Sequence, residues 1–174
     1  MKNLSEEKTS VRVKQFEVGP MQNFCYIIGD LKTKKALVVD PAFEPEKIFR
    51  EIEAGGWVLT GIVASHSHYD HLNAVEALLG KMDLPVYINK EELAISKSGN
   101  EIFVDVGEAA RPVWDEESLK LGETVIQFLH TPGHSPGSQC VLVGDFLLSG
   151  DTLFIDGCGR HDLPGGDEEA LQMS

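Results

Sequence analysis

The stretch SHSHYDH, residues 65–71, follows directly on the apolar run WVLTGIVA at 57–64. A short continuous apolar run bounded by a turn reads as a buried strand, so the histidines stand at a strand end. The chain has six histidines in 174 residues, and three of them are in this heptapeptide. Side chains alternate along an extended segment, so His66 and His68, two positions apart, point the same way and can pinch one cation. Asp70 and His71 fall in the following turn and the first helical residue. They point elsewhere but stay within a few ångströms. Such spacing builds two adjacent sites rather than one. Imidazole and carboxylate suit zinc, and also iron or manganese. From this composition the pattern H-x-H-x-D-H would arise by chance with a probability on the order of 10⁻³ or less, so incidental histidines in a polar turn are a poor account of it.

The rest of the chain alternates strands and helices, then turns mostly to strands. VRVKQFEV (11–18), FCYIIGD (24–30) and KKALVVDPA (34–42) read as strands with an antiparallel start, the third ending at Asp40-Pro41. EPEKIFREIEAGG (44–56) reads as a helix with Pro45 in its first turn. Ile48, Phe49 and Ile52 form its apolar face, and Gly55-Gly56 ends it. HLNAVEALLGKM (71–82) is expected to be one helix and PVYINK (85–90) a short strand. The segment from Glu91 to Pro112 begins helically and then becomes loop, and the stretch from Ser96 to Pro112 is expected to shape substrate choice. ESLKLG, TVIQFLHTPG and SQCVLVGDFLLSGD return to strands, with a tight hairpin turn at Val143-Gly144-Asp145-Phe146. GGDEEALQMS opens a helix with Asp167 as its N-cap. No repeat interrupts this order, and a single domain over 1–174 is expected, with a polar lead-in at 1–10.

Composition excludes some partners. The net charge of −13 argues against a nucleic-acid backbone or an anionic membrane. No stretch is long and apolar enough to span a bilayer, and MKNLSEEKTS has no apolar signal core, which points to a cytoplasmic protein. Cys25, Cys140 and Cys158 are odd in number and far apart, so structural disulfides and a zinc-thiolate motif are not expected. Cys25 and Cys140 read as buried free thiols.

Two further segments supply what the cluster lacks. FLHTPGHSPGSQC presents His134 in a Pro/Gly-rich turn between strands, and LLSGDTLF places Asp151 just after an apolar strand and a glycine. A carboxylate has two oxygens and can bridge two cations. His130 and His161 read as structural.

These motifs give the chain a family resemblance. SHSHYDH, TPGHSPGS, SGDTLF and GCGRHDLPGGD, in that order, resemble the metallo-β-lactamase superfamily and within it the glyoxalase II-like branch. GPMQNFCYIIGD and ALVVDPA look like that family's first strands, so the resemblance spans nearly the whole chain. It implies an α+β fold, a four-layer αββα sandwich with metals in a cleft at one edge of its two sheets. The resemblance puts His66, His68 and His134 on a first metal, Asp151 between two metals, and Asp70 and His71 on the second with one further histidine. That histidine belongs to a P-G-H turn and closing helix that would follow Ser174, so the expectation is a fold short of its closing elements and a second site one ligand short. Asp151 stands where the best-known zinc β-lactamases carry a cysteine, which ranks antibiotic hydrolysis down. His68 stands where flavodiiron proteins carry a glutamate. Acidity ranks down the family's nucleases, and the helical domain that holds glutathione in full-length glyoxalase II is absent from the sequence. In similar proteins a basic residue at the place of Arg160 helps hold an anionic thiol-derived substrate. The competing reading pairs Arg160 with Asp156 or Asp162. Nothing in the sequence explains His161, where many relatives have threonine.

The chemistry implied is metal-dependent hydrolysis of a small-molecule thioester or ester. Metal-bound hydroxide attacks the carbonyl, and Asp70 orients the nucleophile and shares its proton. One or two Zn²⁺ per chain would serve. The alternative is a persulfide dioxygenase with one Fe²⁺ held by His66, His134 and Asp151, and a third reading is an inactive truncated metal-binding fragment. A homodimer is compatible with all three.

Overall fold

The structure is a computed structural model and describes residues 10–174. The polar lead-in therefore lies, apart from Ser10, outside the described residues. Strands β1 (Val11–Val18), β2 (Asn23–Asp30), β3 (Lys35–Val39), β4 (Val58–Val63), β5 (Val86–Asn89) and β6 (Ala110–Val113) form one sheet in chain order. The pairs β1–β2 and β2–β3 are antiparallel, and the pairs from β3 to β6 are parallel. Strands β7 (Ser118–Leu121), β8 (Thr124–His130), β9 (Gln139–Val143) and β10 (Phe146–Leu148) form a second, antiparallel sheet in the order β10-β9-β8-β7.

The period of two along each strand sorts side chains into two cores. Ile28, Leu37, Val39 and Val63 face the second sheet and pack with Ile126, Phe128, Val141 and Val143. Their neighbours Ile27, Val38 and Ile62 face the other way, toward helices α1 (Pro45–Gly55) and α3 (Val75–Leu79). The long apolar runs follow from this, since a strand buried on both faces has no polar side. Helix α1 presents Ile48 and Ile52 to that core and stops where Gly56 turns left-handed at φ 64°.

Two expectations are corrected. The single helix expected over 71–82 is two short ones, α2 (Tyr69–Leu72) and α3, because the Ala74 N–H donates to the Pro41 carbonyl at 3.0 Å instead of continuing the helix. The segment after Asn89 begins helically as expected, in α4 (Lys90–Ser96), but the loop expected to run to Pro112 ends in β6. Strand β6 is an edge strand, where Pro112 sacrifices no ladder bond. The sandwich is covered unequally on its two sides, in keeping with a fold short of its closing elements. Ile126 and Phe128 point inward, so Val125 points outward from the second sheet. Val125 and Leu147 on that face are more than half exposed. Among the described residues the fourth layer is represented by α5 (Glu168–Met173) alone, capped by Asp167 and seated by Leu171 against the turn at Gly133.

Candidate metal centre

Strand β4 delivers the first ligand candidates. It ends at Val63, and residues 65–68 continue past it at the ends of β3 and β5. His66, His68, His71 and His134 are all buried. Their ring nitrogens converge, with His68 Nδ1 3.0 Å and His66 Nε2 3.2 Å from His134 Nε2. Two groups could hold a cation: His66, His68 and His134, and, beside them, His66, His71 and Asp151. In each group the potential ligand atoms lie within 4.8 Å of one another. Asp151 lies between them, with Oδ1 3.2 Å from His71 Nε2 and Oδ2 3.6 Å from His134 Nε2.

Hydrogen bonds on the far side of the His134 and His66 rings fix their tautomers. His134 Nδ1 lies 2.7 Å from the Arg160 carbonyl, which can only accept, so that nitrogen carries the proton. Ser65 Oγ donates to Asp40 Oδ2 at 2.6 Å and is therefore an acceptor for His66 Nδ1 at 2.9 Å. Both Nε2 atoms are left as lone pairs, facing each other. His68 Nε2 is buried with no partner. Burial, then the neighbouring imidazoles, push His66 well below the usual histidine range, and burial with His134 takes His68 down to about 4. Imidazole nitrogens converging in this way, with no protein donor placed between His66 Nε2 and His134 Nε2, suit a divalent cation. The residues fit the group the fold family implies.

His71 differs. Burial would lower its pKa, but Asp151 and then Asp40 override this and hold it up at about 10. Its Nδ1 is 3.0 Å from Asp40 Oδ2. Asp70 stands at the edge of the second group, Oδ2 3.8 Å from His71 Nε2, and accepts from Asn23 Nδ2 at 3.0 Å. Both line a cleft of about 590 Å³ together with Asp151. Its walls include Met21, Phe24, Leu153, Phe154 and Ile155, and no lysine or arginine among the described residues.

The site residues anticipated from sequence thus come together, with one exception. The Arg160 guanidinium pairs side-on with Asp162, Nε to Oδ1 at 2.8 Å and Nη2 to Oδ2 at 2.9 Å, and does not line the cleft. Its backbone carbonyl orients His134 instead. The chain approaches closely there, since a Cβ on Gly159 would lie 2.0 Å from the Asp151 carbonyl oxygen. The segment from Ser96 to Pro112 also sits differently than expected. Phe103 stacks on the His68 ring with centroids 5.1 Å apart, and Val104 N–H donates to the Ser67 carbonyl. It supports the histidine loop from behind and lines no part of the cleft. His130 is structural, its Nε2 bonded to the Pro136 carbonyl at 2.9 Å. Sequence reasoning missed Asp40, Ser65 and Glu92. Asp40, left-handed at φ 48° in DPA, offered the one available signal, a carboxylate ending a buried strand.

Comparison with known proteins agrees with this geometry. Residues 18–174 match the metallo-beta-lactamase superfamily. The chain is 36% identical over 172 residues to the probable metallo-hydrolase YqgX of Bacillus subtilis, covering 92% of this chain and 80% of that protein. It is 34% identical to the probable polyketide biosynthesis zinc-dependent hydrolase PksB of the same species, covering 86% of this chain and 63% of PksB. It is also 34% identical to the cytoplasmic hydroxyacylglutathione hydrolase of Saccharomyces cerevisiae, covering 87% of this chain and 56% of that enzyme. The chain thus spans less than two thirds of the latter two. Among solved structures, BLEG-1, a B3 metallo-beta-lactamase, superposes with a TM-score of 0.80 at 30% identity over 92% of this chain and 81% of that one. TTHA1623 in a di-iron-bound form gives 0.78 at 31% over 92% and 82%. ETHE1 from Myxococcus xanthus gives 0.74 at 26% over 92% and 66%. The chain belongs to the metallo-β-lactamase superfamily. Among the described residues no helix is long and apolar enough to cross a membrane.

Proposed function

We propose that this chain carries the centre of a metal-dependent hydrolase that cleaves a small-molecule thioester or ester in the cytoplasm. The observation that carries the reading is the pair of adjacent donor groups, the second of which opens onto a cleft through His71 and Asp151. His66, His68 and His134 would hold one ion. Asp151, His71 and Asp70 would hold a second, with Asp151 shared. Zinc fits this donor set and is named in one relative. Such ions, when bound, supply water acidic enough to act at neutral pH and a Lewis acid for the carbonyl oxygen.

The chain's own residues do the rest. Asp40 and the Arg160 carbonyl hold the His71 and His134 rings in their tautomers. Asp70, fixed by Asn23, faces the cleft where the attacking water must lose a proton, and its carboxylate takes that proton. The cleft places apolar side chains where the acyl part of a substrate would lie. An anionic thiol-derived group finds no cation on that wall, so its recognition by Arg160 would require the Asp162 pair to open.

A second reading rests on His66, His134 and Asp151, which form a two-histidine, one-carboxylate set of the kind that holds iron in oxygenases. One experiment separates the two. Metal content is measured on protein purified without added metal, and the metal-loaded chain is then assayed for thioester hydrolysis and for oxygen uptake with a persulfide. Zinc with hydrolysis supports the proposal. One iron with oxygen uptake replaces it with the dioxygenase, and bound metal with neither activity leaves a metal-binding fragment.

A further inference from the structure

Glu92, on α4, is fully buried among polar groups that belong to two other loops. Its Oε1 accepts from Ser67 N–H at 2.7 Å and Ser67 Oγ at 2.6 Å. Its Oε2 accepts from Gly137 N–H at 3.0 Å and Ser135 Oγ at 2.7 Å. Ser67 lies between His66 and His68. Ser135 and Gly137 follow His134. One carboxylate therefore ties the loop carrying two histidines of the first group to the loop carrying the third.

The fit is specific to a carboxylate and to a glycine. Each oxygen accepts from a backbone N–H, so a glutamine would set its NH₂ against an N–H donor whichever way it turned. A Cβ on Gly137 would lie 2.0 Å from the Glu92 backbone nitrogen and 2.4 Å from its Cβ, so only glycine lets the histidine turn close onto α4. No cation lies among these partners. The carboxylate's bonds all serve to join the two loops.

The geometry points to Glu92 as a positioning residue for the metal centre: its carboxylate pins the His66/His68 loop to the His134 loop, so the three imidazoles converge before an ion arrives. The Nε2 atoms of His66 and His134 face each other at 3.2 Å with no proton between the neutral rings, and something outside the rings must hold them together. Among the described residues, Glu92 is the one side chain whose bonds reach both loops at the residues next to the ligands. The inference rests on the reading that this trio binds metal.

The test measures zinc dissociation constants by competition with a chromophoric chelator, alongside the visible spectrum of the cobalt-substituted chain and the urea midpoint of the metal-free chain. Glu92→Gln is expected to weaken zinc by about 10–100-fold, the range for loss of an outer-shell partner, and to shift the cobalt bands. Ser67→Ala and Ser135→Ala each remove one of the four bonds and should give smaller losses in the same direction. They carry the test if Glu92→Gln does not fold. Asp30→Asn, which lowers stability at the other end of the molecule, is the control and should leave the zinc constant and the cobalt spectrum unchanged. Unchanged zinc affinity in the Glu92 and serine variants would overturn the inference, as would a loss that Asp30→Asn reproduces. If the unaltered chain binds no metal, the metal-centre reading itself fails first.

Discussion

Asp30 and Glu92 sit at opposite ends of the sandwich, and each is a buried carboxylate surrounded by four donors. Asp30 accepts from Thr33 N–H and Oγ1 in the β2–β3 turn, and from Glu123 N–H and Thr124 Oγ1 in the β7–β8 turn. It clamps the first sheet to the second. Glu92 clamps two loops in the same way. At the Asp30 end every polar group brought in finds a partner within the chain. At the Glu92 end the clamp holds imidazoles whose free lone pairs face one another and whose satisfaction must come from outside. The same device fastens the fold at one end and keeps a ligand site assembled at the other.

The comparison makes predictions that can be broken. The largest effect belongs to the ligand candidates. His66→Ala or Asp151→Ala should abolish metal binding and activity, a loss beyond the ~10–100-fold of an outer-shell change, while His130→Ala leaves both intact. Equal loss from all three, read by metal analysis and turnover, would show that the ligands are wrongly assigned. Phe128→Ala, between the sheets, should cost about 3–5 kcal/mol in urea denaturation.

Asp30→Asn should cost about 1–3 kcal/mol at pH 7 through its unsatisfied donors. Burial raises this carboxyl, but the bonds from Thr33, Thr124 and Glu123 more than reverse that, to about 2. A depressed acid stabilises the fold above its unfolded value of about 3.9 and loses that contribution as pH falls toward its folded value. The gap between Asp30→Asn and the parent chain should therefore close as pH drops from about 4 to 2. A gap constant with pH would show that the clamp does not act through its charge.

A smaller effect separates the two halves of the site itself. His71 is held protonated in the metal-free chain and His66 and His68 are not. Its raised value adds stability below about 6.5 that is lost as pH climbs through about 10. Filling the group that contains His71 should release about one proton from that ring at pH 7. Calorimetry in buffers of different ionisation enthalpy reads the release, and its absence would show that His71 is neutral before the ion binds. The smallest effect is expected from Arg160→Ala. With its guanidinium turned to Asp162, KM should hardly move, and a large rise would show that the pair opens for substrate.

Much of this was legible in the chain because the ligand types are scarce and their spacing is set by strand geometry. His66, His68, His71, His134 and Asp151 each announce themselves within a few residues of a strand end. What escaped depends on contacts distant in sequence. Strand β6 is defined by parallel pairing with Val86–Asn89, which no local pattern records. Helix α2 stops because of a carbonyl at Pro41, some thirty residues earlier. Glu92 lay in the least regular segment of the sequence and looked like one acid among twenty-eight. Arg160 was legible as a member of the site, but whether its side chain or its carbonyl does the work was not.

The facing lone pairs of His66 and His134 also bear on how such a protein is handled. A site whose internal repulsion is relieved only by a bound ion makes heat resistance a property of the medium as much as of the chain. An ion held at a thousand times its dissociation constant adds about 4 kcal/mol to the folded state. A chelating buffer would then act as a mild denaturant, and two preparations of identical sequence would melt at different temperatures according to the trace metal in their water.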